Sequence, residues 1–223
     1  MAFKRLTTKK ATSLTPQVVT LVVDDSGSMG GSKAADATKG VQEIIITIQA
    51  GNQGASNSRF FVNIAKFGST TIPLVEAGRP ESVSLTQLTF TGDSGGTEMA
   101  GALNWAVHST QKALGECRKI SKYIEESSPN PLVLFFSDGA NTGGDVGPAA
   151  QALRAIPFGG GNVDVVAVGI GMNPGDFSLM ERIASQPELA VNIDPSQLAE
   201  FLAEVGATLQ KGEEPGKLIK QFD

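Results

Sequence analysis

The sequence predicts a doubly wound, Rossmann-like α/β domain. Its six-stranded, mostly parallel sheet should run in the order 3-2-1-4-5-6, with an antiparallel edge strand and helices on both faces. Three observations carry this. Apolar runs too continuous for a sheet wetted on one side recur along the chain. Segments with helical spacing separate most of them, which is the pattern of a parallel sheet with right-handed crossovers. Only Gly68-Ser69 divides the second run from the third, too short a link for a crossover, so the third strand should be antiparallel.

Taken in order, residues 1–16 are polar and basic (Lys4, Arg5, Lys9, Lys10) and end at Pro16, so they read as a flexible arm. The first strand starts at Val18 and stops at Asp24-Asp25-Ser26-Gly27-Ser28. Val41, Ile44, Ile45 and Ile48 then fall at i, i+3, i+4 and i+7, the core stripe of a helix that ends in the polar loop Gly51–Ser58. Arg59–Phe67 and Thr70–Val75 are strands two and three. The long loop 76–96 carries a short piece of structure near Leu85–Phe90 and ends in a flexible hairpin, Gly92 to Thr97.

From Glu98 the chain is helical, with Met99, Leu103, Ala106 and Ala113 on one face. Pro131–Ser137 is strand four and also ends at a carboxylate, Asp138-Gly139. Val146, Ala149, Ala150, Leu153 and Ile156 mark a helix, Val163–Gly169 strand five, Phe177–Ala184 a short helix and Leu189–Ile193 strand six. Asp194 before Pro195 caps a last amphipathic helix through Leu209. One domain over 17–210 results, with the arm before it and a flexible tail, 211–223, after it. Leu218, Ile219 and Phe222 stand in that tail as a weak docking motif.

Composition narrows the function. A net charge of −5 with one Trp and one Tyr gives no general attraction for nucleic acid and no base-stacking platform, and the longest aliphatic run, Ile44-Ile45-Ile46, is far too short to span a bilayer. Cys117 is the single cysteine, so no internal disulfide staples the fold, and the chain reads as cytoplasmic. His108 is the single histidine, mid-helix, leaving a Ser-His-Asp triad or a histidine zinc site little to build from.

In the order 3-2-1-4-5-6, strands one and four are neighbours at the switch point where open α/β sheets keep their ligands. Asp24 should therefore lie beside Asp138, with the Thr97 loop able to close over the same crevice. Asp24, Ser26 and Ser28 present oxygen on alternate residues, and hard cations take oxygen, so a magnesium-type site is expected. Each residue also has a bland explanation: Ser26, Ser28 and Thr97 as helix caps, Asp138-Gly139 as a turn. Three hydroxyls and two carboxylates converging from three loops favour the site.

Asp24-x-Ser26-x-Ser28, Gly95-Gly96-Thr97 and Ser137-Asp138-Gly139 together resemble the metal-ion-dependent adhesion site of von Willebrand factor A (VWA) domains, over roughly Val18 to Leu209. The finer shape is similar to the bacterial intracellular branch associated with tellurium resistance. The resemblance implies that the hydroxyls of Ser26, Ser28 and Thr97 bind Mg2+ (or Mn2+ or Ca2+). It implies that Asp24 and Asp138 act directly or through water. It implies too that the ion keeps an open position for an Asp or Glu of a protein partner, in a stress-signalling setting beside kinases and phosphatases. Neutral hydroxyl ligands quench little of a dication's charge, which suits capture of a carboxylate. Asp25 departs from the family's usual neutral residue; alternation along the strand end turns it away from the ion. Asp145, near the metal loop, is a second possible modulator, with helix capping as its plainer role.

The rival is a magnesium-dependent phosphoester or nucleotide hydrolase using Asp24. That chemistry wants a second carboxylate where Ser26 stands and a lysine beside the site, and the sequence places neither there. Nucleotide motifs fit poorly: Ser32 replaces the glycine a P-loop needs before Lys33, and Pro174 breaks the dinucleotide pattern begun at Gly169. A non-catalytic interaction module is the expected function.

Overall fold

The computed structural model describes residues 9–52, 59–159, 161–213, 215–220 and 222. The strands are β1 (Gln17–Asp24), β2 (Phe60–Phe67), β3 (Thr71–Gly78), β4 (Leu132–Ser137), β5 (Asp164–Ile170) and β6 (Ala190–Ile193). They form one sheet in the order β3-β2-β1-β4-β5-β6, as expected, with β2–β3 the antiparallel pair. The proline at position 73 sits in β3, an edge strand, where a missing N–H costs no ladder bond on the open side.

The helices are α1 (Ser32–Gly51), α2 (Met99–Arg118), α3 (Gly147–Arg154), α4 (Pro174–Ile183), α5 (Leu198–Lys211) and α6 (Pro215–Ile219). Helices α1 and α5 pack together on one face of the sheet. On the other face α2 contacts α3 and α3 contacts α4. Residues of β1, β4 and β5 (Val23, Phe136, Ile170) meet α1 and α5 through Val41 and Leu202. The stripe Val41, Ile44, Ile45 and Ile48 is fully buried, so the helical spacing prevails over the β-branched preference of this segment.

One polar seam crosses the apolar sheet beneath α2. Thr20 of β1 pairs in register with Asn63 of β2, whose amide donates to the Thr20 hydroxyl at 3.0 Å. Thr20 shares a second bond with the Thr110 hydroxyl of α2 at 3.0 Å, and the Asn63 carbonyl oxygen accepts from Ala77 N–H at 2.7 Å. Thr20, Asn63 and Thr110 are fully buried. Each is satisfied by the others, as burial of polar groups requires.

The ends of the chain bear contacts the sequence reading did not anticipate. Residues 1–8 of the expected arm lie outside the described residues. Of the remainder, Ala11 is buried and the Lys9 ammonium donates to the Glu126 carbonyl. In the expected tail, Ile219 is buried, and the Phe222 ring meets Phe201 edge-on at 5.1 Å. Phe201 in turn stands edge-on to Phe136 of β4 at 6.1 Å. The apolar residues of this tail are thus used against α5, and the side chain of Leu218 lies outside the described residues.

Candidate metal centre

Parallel strands end on the same edge, so the register Val23↔Phe136 puts the next residues, Asp24 and Ser137, side by side. Ser137 Oγ donates to Asp24 Oδ2 at 2.5 Å, and the Ser26 N–H donates to Asp24 Oδ1 at 2.8 Å. Asp24 is fully buried. Burial pushes its carboxyl above the ordinary value against the lowering pull of these two bonds, and the nearby charge of Asp138 adds to the rise.

The two serines and Asp138 form a connected cluster. Ser26 Oγ and Ser28 Oγ are 3.3 Å apart, and Ser28 Oγ donates to Asp138 Oδ1 at 2.6 Å. Neither serine acts as a helix cap: the 3-10 turn Gly27–Met29 and α1 both begin without a side-chain capping bond. Thr97 does not cap α2 either, because Glu98 does so by accepting from Gly101 N–H at 2.7 Å. The bland explanations therefore leave all three hydroxyls unused.

Gly139 shows how the third hydroxyl joins. A Cβ built on it would lie 3.4 Å from Ser28 Oγ and 3.6 Å from Thr97 Oγ1. A single point one bond from this glycine thus touches hydroxyls from two loops, and the missing side chain leaves that space open. The structure brings Ser26, Ser28, Thr97, Asp24 and Asp138 to one place at the C-terminal edge of β1 and β4.

Asp25 takes a different part. Its Oδ1 accepts from the N–H groups of Thr91 and Gly92 at 2.6 and 2.7 Å, and its Oδ2 accepts from Ser94 Oγ at 2.8 Å and pairs with Lys66 Nζ at 2.8 Å. Burial raises this carboxyl, but Lys66 and the donors from Gly92, Ser94 and Thr91 outweigh it and hold the group below the ordinary range. It turns away from the cluster, as alternation suggested, and ties down the loop leading to Thr97. That loop, expected as a flexible hairpin, is also held by Ser94 N–H to Asp25 O (2.9 Å), Gly27 N–H to Gly95 O (3.0 Å) and Gly96 N–H to Ser69 Oγ (2.8 Å). Gly92 adopts φ 69°, and a Cβ there would come within 2.4 Å of the Gly30 backbone, so no other residue fits this turn.

Two lysines were not legible as site residues. Lys66 is the penultimate residue of β2, in register with Val23, and its ammonium reaches Asp25 just past the end of β1. The Lys33 ammonium pairs with Asp138 Oδ2 and donates to the Ser28 carbonyl at 3.2 Å. The expectation that no lysine stands beside the site is therefore corrected. The available signal was position: Lys33 is the second residue of α1, and helical side chains lean toward the N-terminus, here toward the cluster.

Asp145 is not in the cluster. It accepts from Gly147 N–H at 3.1 Å and from Arg182 at 3.0 Å, and these two partners, in that order, hold its carboxyl low. It borders an open groove of about 410 Å³ shared with Asn141, Asp176 and Arg182. His108 is exposed, and its Nδ1 lies 2.7 Å from the Asn104 carbonyl of its own helix. Cys117 is buried, which pushes its thiol up to about 12, and it takes no part in the site.

The donor set is all oxygen. Among the described residues no group of three or more His, Cys, Asp or Glu could hold a metal, so an ion here depends on the hydroxyls. Hydroxyl and carboxylate oxygens around an open space suit a small hard dication such as Mg2+ or Mn2+, whereas zinc's preference for nitrogen and sulfur is poorly met.

A family model described as the von Willebrand factor type A domain matches residues 19–204. Among curated proteins none matches. Solved structures do. A von Willebrand factor type A protein from Catenulispora acidiphila aligns at 18% identity and TM-score 0.62, covering 88% of this chain and 43% of that one. The pilus adhesin SpaC from Lactobacillus rhamnosus GG, in an open conformation, aligns at 16% identity and TM-score 0.66, covering 96% and 31%. Proximal thread matrix protein 1 from the mussel byssus, whose adhesion-site motif is occupied by zinc, aligns at 15% identity and TM-score 0.63, covering 90% and 49%. At these identities the likeness is one of fold, and the chain spans about half or less of the length of these three proteins.

Proposed function

We propose that this chain, which belongs to the von Willebrand factor type A domain family, is a divalent-cation-dependent protein interaction module. In this reading Ser26, Ser28 and Thr97 hold the ion through their hydroxyls, with Asp24 and Asp138 beside it. The observation that carries it is the opening at Gly139. Hydroxyls from two loops flank a space where a side chain is missing, and no helix cap uses them. A bound Mg2+ would supply a Lewis-acidic position for an Asp or Glu of a partner protein. The chain's own part is to present neutral oxygens, keep Asp24 dry, and hold the Thr97 loop in place through Asp25.

The hydrolase reading is less well supported. Lys33 does supply a cation beside the site. Asp24, however, would be the nucleophile, and it is fully buried with one oxygen bonded to Ser137 and the other to Ser26. A carboxylate so enclosed has no line of attack on a phosphorus atom. His108 offers no general base, since it is exposed on α2 and bonded to its own helix.

For setting, we infer an intracellular role in signalling, with kinase- or phosphatase-associated proteins as the partner class to test. The support is the free, buried Cys117. The pilus adhesin in the comparison marks the alternative, and fractionation of producing cells separates the two. The test of the module itself uses the immobilised chain. Capture of a defined partner should be lost in EDTA, restored by Mg2+ and absent in Asp24→Ala, with no turnover of p-nitrophenyl phosphate. Capture that survives both EDTA and Asp24→Ala overturns metal-bridged recognition; turnover lost in Asp24→Asn supports the hydrolase.

A further inference from the structure

We propose that Lys33 is a tethered cation of this centre that sets its charge balance. It weakens binding of the divalent ion and keeps the loaded centre positive, so that an anionic group is captured more tightly. This rests on the metal-centre reading above.

The geometry is specific. The Lys33 ammonium pairs with Asp138 Oδ2, while Asp138 Oδ1 takes the Ser28 hydroxyl, so both oxygens of that carboxylate are engaged. The Asp138 side chain is 1% exposed and that of Lys33 27%, so the pair is shielded from solvent on its carboxylate side. The same ammonium also donates to the Ser28 carbonyl at 3.2 Å, which places it against the cluster rather than over open solvent.

Local helix energetics do not explain this lysine. It is the second residue of α1, whose first turn has no acidic residue, and a cation at a helix N-terminus opposes the helix dipole. A carboxylate would suit the helix better. The benefit therefore lies in the contact with Asp138 and Ser28.

The charge inventory follows. Asp25 is matched by Lys66 and turned away, which leaves Asp24 and Asp138 as the carboxylates of the cluster. Two carboxylates would neutralise a dication, and the loaded centre would have little pull on a partner's carboxylate. Lys33 restores one positive charge. It also repels the incoming dication and shares Asp138 with it, so the same residue makes metal loading weaker and anion capture stronger.

The test uses the full chain and two probes. Mn2+ binding is followed by electron paramagnetic resonance for wild type, Lys33→Gln and Lys33→Arg. Acetate is then added to each Mn2+-loaded protein and followed by water-proton relaxation. Lys33→Gln should bind Mn2+ about tenfold tighter and acetate about tenfold weaker, roughly the effect of one unit charge in a partly exposed site. Lys33→Arg should behave as wild type. If Lys33→Gln binds Mn2+ less well, the lysine organises Asp138 and the proposal fails; unchanged binding of both probes also overturns it. If wild type itself takes up no Mn2+, the metal-centre reading falls and this inference with it, a result distinct from failure in the variant alone.

Discussion

Asp25→Asn is the most informative single change. The substitution keeps shape but removes charge, and Asn Oδ1 can still accept from Thr91 and Gly92 N–H. What is lost is the pair with Lys66 at 2.8 Å, in which the carboxylate side chain is 0% exposed and the lysine 17%. Removing one partner of a buried pair costs about 3–5 kcal/mol, and the residual exposure of Lys66 places this site near the lower end, about 3 kcal/mol. In a domain of this size that lowers the melting temperature by about 6–12 °C.

The pH dependence has a definite sign. The folded carboxyl is held below the ordinary aspartate value of 3.8. Its contribution is therefore complete above that value and is lost as pH falls through the lower folded value. The gap between wild type and Asp25→Asn should be full at pH 7 and close in acid. Urea unfolding at pH 7 and pH 3, with Lys66→Met and the double variant completing a cycle, measures the pair directly. The same variant should also weaken Mn2+ binding, because the loop carrying Thr97 is anchored on Asp25. A stability change under about 0.5 kcal/mol at pH 7, with Mn2+ binding intact, refutes the role of Asp25 as anchor.

Three further outcomes are expected. Asp24→Asn removes a fully buried charge while keeping an acceptor for Ser26, and the Ser137 hydroxyl can rotate to accept. The metal-free protein should melt at higher temperature, and the Mg2+-induced gain, about 2.7 kcal/mol at a hundredfold excess over Kd, should vanish in calorimetry. Gly139→Ala places a methyl 3.4 Å from Ser28 Oγ and 3.6 Å from Thr97 Oγ1; it should fold normally yet lose about tenfold or more in Mn2+ affinity by titration, roughly one lost contact of 1.4 kcal/mol. Cys117, buried with its thiol pushed up to about 12 by that burial, should resist a thiol reagent at pH 8 in the folded protein and react stoichiometrically in denaturant.

The sheet order was legible because each apolar run ends at a marked residue and link lengths fix which strands can be parallel. Asp24, Ser26, Ser28 and Asp138 were legible because they directly follow identified strands, and Thr97 because it ends a glycine-rich loop just before an identified helix. What the sequence concealed is reach. Lys33 and Lys66 carry long side chains whose ammonium groups meet carboxylates far away in the chain; the place of Lys33 in α1 indicates a direction, but no local pattern names either lysine's partner. Asn63 was concealed for a similar reason: a lone amide in an apolar run reads as an interruption until its partners on β1 and at Ala77 are known. The contacts of Ala11, Ile219 and Phe222 in the terminal segments were not legible either, since a few apolar residues among charges do not announce the surface they cover.

The polar seam at Thr20 and Asn63 bears on how the chain avoids a wrong alignment. In a sheet buried on both faces, sliding β2 by two residues keeps every side chain on its original face, so hydrophobic patterning penalises such a slip weakly. The seam does not tolerate it. Asn63 would face Val18 or Val22 in place of Thr20, leaving a buried amide without a partner at a cost of about 1–3 kcal/mol. The same slip would carry Lys66 about 6–7 Å along the strand direction, away from Asp25. Two polar side chains at mid-sheet, with Thr110 of α2 above them, thus act as a registration key for loops at the sheet's end.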